Sequence, residues 1–263
     1  MDLVEAQKRG FTTSERHPWE LARLKVLKKL ILKNVILNDK AIVVDIGCGD
    51  TFVVEELARD YPKASFHAID IAFTDEMIKK YSENLIVKNV FLYRSVEEFT
   101  LKVIQSASLI LLADVIEHIE DDIKFMNELI KNKFIDNKTL FLITVPAYQS
   151  LFCSHDIFLG HYRRYTNTKL KINLSIAGLS VTNMGYFFFG LLPIRIFQVL
   201  KEKMFGFDMK KISTGLTTWQ GGKAKASILK NILLWDTYFT FSFKKLGVNF
   251  PGLSNYAICK KSV

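Results

Sequence analysis

The chain has 263 residues, 49% of them apolar, and a formal net charge of +9. That length and apolar content suit one large domain with extensions; they argue against a disordered chain and leave two independent cores cramped. The positive charge favours acidic partners, but a lysine-rich solvated surface gives the same number, so charge alone names no ligand.

In chain order, "WELARLKVLKKLILKNVI" places apolar residues at three- and four-residue spacing and predicts an amphipathic helix from Pro18 to Asn34, with Pro18 in its first turn. Five β-rich runs follow, "AIVVDIG", "SFHAID", "NVFLYRS", "ASLILLAD" and "TLFLITVP". Helical patterns lie between them near Val53 to Arg59, Asp75 to Ser82 and Asp121 to Asn132. Such alternation predicts a parallel sheet with helices on both faces. Beyond Pro146 an aromatic and His-rich stretch, residues 147–167, reads as a lid. A helix over Thr168 to Ala177, a strand over Val181 to Phe188, two apolar helical stretches and a closing strand "NYAICKK" complete the chain. The segment Ser213 to Lys225, with Gly221 and Gly222, reads as a loop between those two helices.

Cys48, Cys153 and Cys259 are odd in number and widely spaced, which signals neither a disulfide framework nor a zinc site and fits a reducing cytoplasm. The longest apolar run, "MGYFFFGLLPI", is too short to span a bilayer and the start has no signal-peptide core, so a soluble protein is expected.

The stretch "AIVVDIGCGDTFVVEEL" ends a strand on an acid, passes Gly47 and Gly49, and turns helical. Glycines there let the backbone bend and approach a ligand. Asp70 ends the next strand about twenty residues on, where a carboxylate accepts from ribose hydroxyls. A dinucleotide site wants the G-x-G-x-x-G spacing and a helix N-terminus on pyrophosphate, and here Asp45 precedes the glycines. That acid repels pyrophosphate and suits an ammonium group. The ligand combining ribose, adenine and an amino-acid tail is S-adenosylmethionine.

"VVDIGCGD", "FHAIDI" and "ASLILLADVIEHIEDD" resemble the class I S-adenosylmethionine-dependent methyltransferases. The chain is most similar to a bacterial small-molecule subgroup with an N-terminal "HPWELAR" helix, a "HYRRYT" block and a "PGLS" segment, here His17 to Arg23, His161 to Thr166 and Pro251 to Ser254. The resemblance implies a doubly wound, Rossmann-like α/β sheet of seven strands, the last antiparallel. It divides residues 1–263 into a helical cover (1–36), a core (37–188), a helical cap (189–250) and a closing strand (251–263). It implies that Asp45, Gly47, Cys48 and Gly49 line the methionine part of the cofactor, that Asp70 binds ribose and that Ile71 packs on adenine. Ser95 and Val96 then meet the adenine amino group, and Ala113 and Asp114 border the sulfonium. Ser95, and Thr51 where a third glycine is common, depart from the pattern.

Methyl transfer is an in-line displacement that depends on orientation, and a hydroxyl acceptor benefits from a base. His118 is the first candidate for that base or for an acceptor contact, with His155 and His161 in the lid as runners-up. Trp19, Glu117, Tyr148, Tyr162, Arg163 and Arg164 are candidate acceptor contacts, the arginines as a clamp for carboxylate or phosphate. The alternative for the arginine pair is an anchor for the lid. The "D/E-x-x-E-H" stretch of quinone-pathway O-methyltransferases suggests a divalent ion on Asp114, Glu117 and His118, but hydrogen-bonding acids are the commoner use, and no metal is expected. The two apolar C-terminal helices wall the substrate, pair with a second subunit or lie on the inner face of a membrane, the first being preferred. The expected activity is transfer of a methyl to oxygen, or else nitrogen, of a small lipid-like or aromatic metabolite, leaving S-adenosylhomocysteine. Neither DNA nor RNA is the expected partner, and an RNA methyltransferase or a non-catalytic membrane-associated protein are the alternatives.

Overall fold

The computed structural model describes residues 16–206 and 221–262. Helix α1 spans Pro18–Asn34. His17 caps it by accepting from the Trp19 amide (3.2 Å) while Glu20 reaches back to the His17 amide (3.1 Å), so orphan donors of the first turn are satisfied. The alternating elements then run β1 Ile42–Ile46, α2 Phe52–Asp60, β2 Ser65–Ile69, α3 Asp75–Asn84, β3 Val90–Tyr93, α4 Val96–Lys102, β4 Leu109–Ala113, α5 Asp122–Leu129 and β5 Leu140–Pro146. The remainder is α6 Ser154–Leu159, α7 Asn167–Ile176, β6 Leu179–Phe187, α8 Leu192–Phe205, α9 Gly222–Lys245 and β7 Ser254–Lys261.

The seven strands form one sheet in the order β3-β2-β1-β4-β5-β7-β6, parallel except for β7, which runs antiparallel between β5 and β6. This is the doubly wound, Rossmann-like sheet that the sequence predicts. Strand order reverses between β1 and β4, so the crevice for a ligand opens at their carboxyl ends. Alternate side chains of β1 feed two cores: Val43 joins α1 and α2 on one face, whereas Ile42 and Val44 join Phe99 of α4, Met126 of α5 and Leu170 of α7 on the other. Helices on both faces account for the fully buried strands β1 and β4.

Three features depart from the expectation. Helix α4 has no counterpart among the predicted elements. The segment after β5 is a packed extension: Ala147 bridges to Tyr165, the Tyr148 amide donates to the Tyr165 carbonyl (2.9 Å), and α6 forms within it. Helix α9 begins at Gly222, inside the stretch read as a loop, whose residues 213–220 lie outside the described residues. It packs against α1 and β6. Leu233, Leu234 and Phe241 of α9 and Leu192 and Val199 of α8 pack inward, but Ile194, Phe197 and Phe205 of α8 and Ile228, Ile232 and Trp235 of α9 stay exposed.

Asp122, at the start of α5 and buried, fastens the segment after β5 to the core. It accepts from Arg163 (2.7 Å), the Tyr165 hydroxyl (2.8 Å) and Asn173 Nδ2 (2.8 Å). Removing it orphans buried donors. Asp122→Ala should cost about 3–5 kcal/mol in denaturant unfolding, and a loss within experimental error contradicts this anchoring role.

Candidate functional site

The turn after β1 is built by left-handed backbone. Gly47 (φ 72°) and Gly49 (φ 64°) take it freely. A Cβ on Gly47 would stand 2.7 Å from Val115 Cγ2, so only glycine lets the turns after β1 and β4 pack together. Thr51, the departure from the third glycine, adopts the same region (φ 66°), and its hydroxyl donates to Glu55 at 2.7 Å. The Gly47 and Cys48 amides donate to the Ile69 carbonyl at the end of β2 (2.8 and 3.2 Å). Asp70 completes the bracket by accepting from the Gly49 amide (2.9 Å) and the Ala72 amide (3.0 Å).

Asp45 lies beneath this turn, buried, and among the described residues its Oδ1 has no hydrogen-bond partner. Burial pushes its carboxyl up to about 7; Arg23 opposes the shift and Asp70 adds to it. Burial beside Asp45 and Asp70 likewise keeps the Cys48 thiol protonated. A shallow cleft lined by Trp19, Glu20, Arg23, Asp50 and Phe52 runs between α1 and the turn. A cavity of about 160 Å³ lies elsewhere, against the middle of β6 between Lys29, Lys33, Asn183 and Lys244, away from the strand tips.

At the tips of β4 and β5 a second bracket forms. Asp114 follows Ala113 with φ 59°, and Tyr148 after β5 has φ 61°, so three of the non-glycine residues with left-handed backbone (Thr51, Asp114 and Tyr148) follow β1, β4 and β5 at the carboxyl edge. Asp114 is held by Arg23 of α1 (2.8 Å) and by the Thr144 hydroxyl (2.9 Å). Glu117 and His118 occupy a short 3₁₀ turn, Ile116–His118. The Tyr162 amide donates to the Glu117 carbonyl (2.8 Å), which hooks the "HYRRYT" block onto this turn and brings the His118 and His161 rings to 4.6 Å between centroids. Ligand atoms of Glu117, His118 and His161 lie within 4.8 Å of one another.

Glu117 is fully buried, and among the described residues neither carboxylate oxygen has a hydrogen-bond partner. Burial first, and then the Asp114 charge, raise its carboxyl well above the usual range. Its place as an acceptor contact is therefore corrected to that of a buried carboxylate under the two imidazoles. Asp156, also buried, accepts from His161 Nδ1 (2.9 Å), Arg164 Nε (2.7 Å) and the Cys153 amide (2.9 Å). Burial alone would raise its carboxyl, but these donors outweigh burial and hold it well below the usual range.

The other predicted residues separate. Ile71 is 89% exposed beside Asp70. Ser95 caps α4 by accepting from the Glu98 amide (3.2 Å), with Val96 as the first helical residue, so Ser95 has a structural use. Trp19 leans on Phe188 with Arg23 over its ring. Tyr148 stacks on Tyr186 at 5.1 Å, and Tyr162 is exposed. His155 stays outside the imidazole pair, its pKa lowered to about 4 by burial and then by Arg195. The arginine clamp is corrected: Arg163 pairs with Asp122 and the Glu120 carbonyl and so anchors the segment to the core as the alternative reading had it, whereas Arg164 pairs with Asp156 and the Ala147 carbonyl and braces the segment internally. Arg23, read from the sequence only as part of the helical cover, organises the site together with Thr144 and Asp156, which were not among the predicted site residues. The sequence signal for Arg23 is the lone arginine on the buried face of α1.

Residues 44–131, from β1 through α5, match a family model described as a methyltransferase domain. No functionally curated protein matches the chain. Among solved structures, coclaurine N-methyltransferase bound to N-methylheliamine and SAH is similar, at 17% identity over 90% of this chain and 70% of that one with a TM-score of 0.52. A candidate sarcosine dimethylglycine methyltransferase from Galdieria sulphuraria is similar at 14% identity, 90% and 84% coverage and a TM-score of 0.54. The [4+2]-cyclase SpnF is similar at 11% identity, 99% and 92% coverage and a TM-score of 0.54. A cyclase among these likenesses illustrates that the fold alone does not decide the chemistry. Residues 44–131 thus resemble a methyltransferase domain, and the sheet around them has the Rossmann-like fold seen in methyltransferases.

Proposed function

We propose that the chain is an S-adenosylmethionine-dependent methyltransferase of the "HYRRYT" subgroup that methylates an oxygen of a small, lipid-like or aromatic metabolite. The observation that carries this reading is the buried oxygen of Asp45 beneath the Gly47–Gly49 turn, which has no hydrogen-bond partner among the described residues. A buried carboxylate without a partner is costly, and a ligand ammonium is the group that relieves it. Asp70, oriented by the Gly49 and Ala72 amides, is placed for ribose hydroxyls, and Ile71 for adenine. Bound S-adenosylmethionine supplies an electrophilic methyl on a cationic sulfur.

The remaining work falls to this chain's residues. Ala113 and Asp114 close the cofactor end of the crevice, and Arg23 fixes the Asp114 carboxylate so that its geometry does not drift. His118 and His161 define where an acceptor oxygen lies, in keeping with the orientation that displacement demands. SAH occurs with the coclaurine N-methyltransferase, and the same product is expected to bind here.

The partner reading rests on α8 and α9, whose exposed Ile194, Phe197, Trp235 and Ile232 sit among lysines. No helix of the described residues is long and apolar enough to cross a membrane, and an apolar face with basic neighbours suits attachment to an anionic lipid surface. Flotation with anionic but not zwitterionic vesicles is expected; flotation with neither contradicts it, as does a dimer in light scattering that hides these helices.

SAH should raise the melting temperature of the protein, and Asp70→Ala should abolish the rise while the variant stays folded by circular dichroism. No rise in the wild-type protein contradicts the reading. His118→Gln should lower turnover at least tenfold with SAH affinity unchanged, and unchanged turnover removes His118 from the acceptor site.

Asp45 adds a pH dependence. Burial raises its pKa in the folded chain to about 7, above the ordinary 3.8 of an aspartate, so its protonated form favours the ligand-free fold. That stability is fully present below the unfolded pKa and is lost as pH rises through about 7. An ammonium ligand needs the ionised form. SAH affinity should therefore weaken up to about tenfold per pH unit as pH falls below 7. At pH 8, Asp45→Asn should raise the melting temperature of the ligand-free protein by a few degrees while weakening SAH binding, and a variant that binds as well as wild type contradicts the assignment.

A further inference from the structure

We propose that Glu117, His118 and His161 form a binding site for one divalent transition-metal ion of the zinc or cobalt class, with an open coordination position facing the acceptor. The three side chains come from two separate turns, after β4 and after β5, and the Tyr162 amide to Glu117 carbonyl bond (2.8 Å) holds those turns together. Their ligand atoms lie within 4.8 Å of one another. Tetrahedral bonds of about 2.0–2.2 Å put donors roughly 3.4 Å apart, so small side-chain rotations toward a shared ion complete the set.

Two further observations point to an ion. Glu117 is a fully buried carboxylate with no hydrogen-bond partner among the described residues, and the two arginines whose charges reach it form their ion pairs with other acids, Arg23 with Asp114 and Arg164 with Asp156. A divalent ion supplies the missing counter-charge. His161 carries the support that metal-binding imidazoles have: Asp156 holds Nδ1 at 2.9 Å, which fixes the ring and directs Nε2 away from Asp156. The His161 side chain is 8% exposed against none for Asp156, so the imidazole is the more accessible member of the pair.

The donor set selects the ion. Two imidazoles and one carboxylate suit zinc, cobalt and iron(II), whereas magnesium and calcium ask for more oxygen ligands. Asp114 is not a ligand, because Arg23 and Thr144 hold its oxygens; His161 takes the place that the sequence pattern gave it. Three protein ligands leave a position free, as in catalytic rather than structural zinc sites. The function of that open position, to hold the oxygen of the acceptor, rests on the methyltransferase reading above; the ion site itself does not.

The test uses the full chain, stripped with chelator and titrated with cobalt(II) chloride. Visible ligand-field absorption should saturate at one equivalent, and zinc should displace it. His161→Gln and His118→Gln should each weaken cobalt binding at least a hundredfold, with the fold intact by circular dichroism and SAH binding retained. Glu117→Gln should weaken it as well, and the two more accessible histidine variants keep the test decisive if that buried substitution does not fold. Absence of stoichiometric cobalt and zinc binding overturns the proposal, as does binding that both histidine variants keep. SAH binding is read separately in the same samples, so a failed metal site and a failed cofactor site are told apart.

Discussion

Carboxyl groups crowd the carboxyl edge of this sheet: Asp45 near the end of β1, Asp70 after β2, and Asp114 and Glu117 after β4 all fall near the crevice where strand order reverses. Low-dielectric surroundings make each such charge costly unless something answers it. Backbone amides serve Asp70, and Arg23 serves Asp114. Asp45 and Glu117 keep buried oxygens that no described residue satisfies. Among the described residues no cation answers these oxygens, which is the basis for the ammonium proposed at Asp45 and the metal ion proposed at Glu117.

Packing explains why that imbalance survives. The strands of the core are buried on both faces, and Gly47 abuts Val115 so closely that no side chain fits between the two turns. Helix α1 contributes Arg23 across more than ninety residues of sequence, and α5 contributes Asp122, which anchors Arg163 and Tyr165. The imidazole pair is then set by backbone rather than by a mobile flap, since the Tyr162 amide and the Ala147–Tyr165 bridge hold the "HYRRYT" block against the tips of β4 and β5. The left-handed conformations of Thr51, Asp114 and Tyr148 sit at this same edge, where strain is sustained by the surrounding bonds.

The sheet was legible because strand and helix periods differ and each element speaks for itself. The first turn was legible for the same local reason, Gly47, Gly49 and Asp70 being a spacing rather than a tertiary contact. What sequence conceals is direction. Arg163 and Arg164 advertise charge but not the acids they meet, and the stretch 147–167, aromatic and without period, reads as a lid although it is packed against α5 and β5. Helix α4 left one unread signal: Ser95 followed by Glu98 is the serine-to-glutamate spacing of a helix start, and the serine hydroxyl does accept from the Glu98 amide. Asp156 had no signal, since its effect on His161 exists only once the fold joins them.

The most direct test is calorimetric titration of SAH into the full chain near pH 6.5, in two buffers that differ in protonation enthalpy. If a buried carboxyl below the first turn gives up its proton to meet an incoming ammonium, binding releases a sizeable fraction of one proton, and Asp45→Asn removes that release. Binding with no proton exchange, proton uptake, or no binding at all contradicts the account.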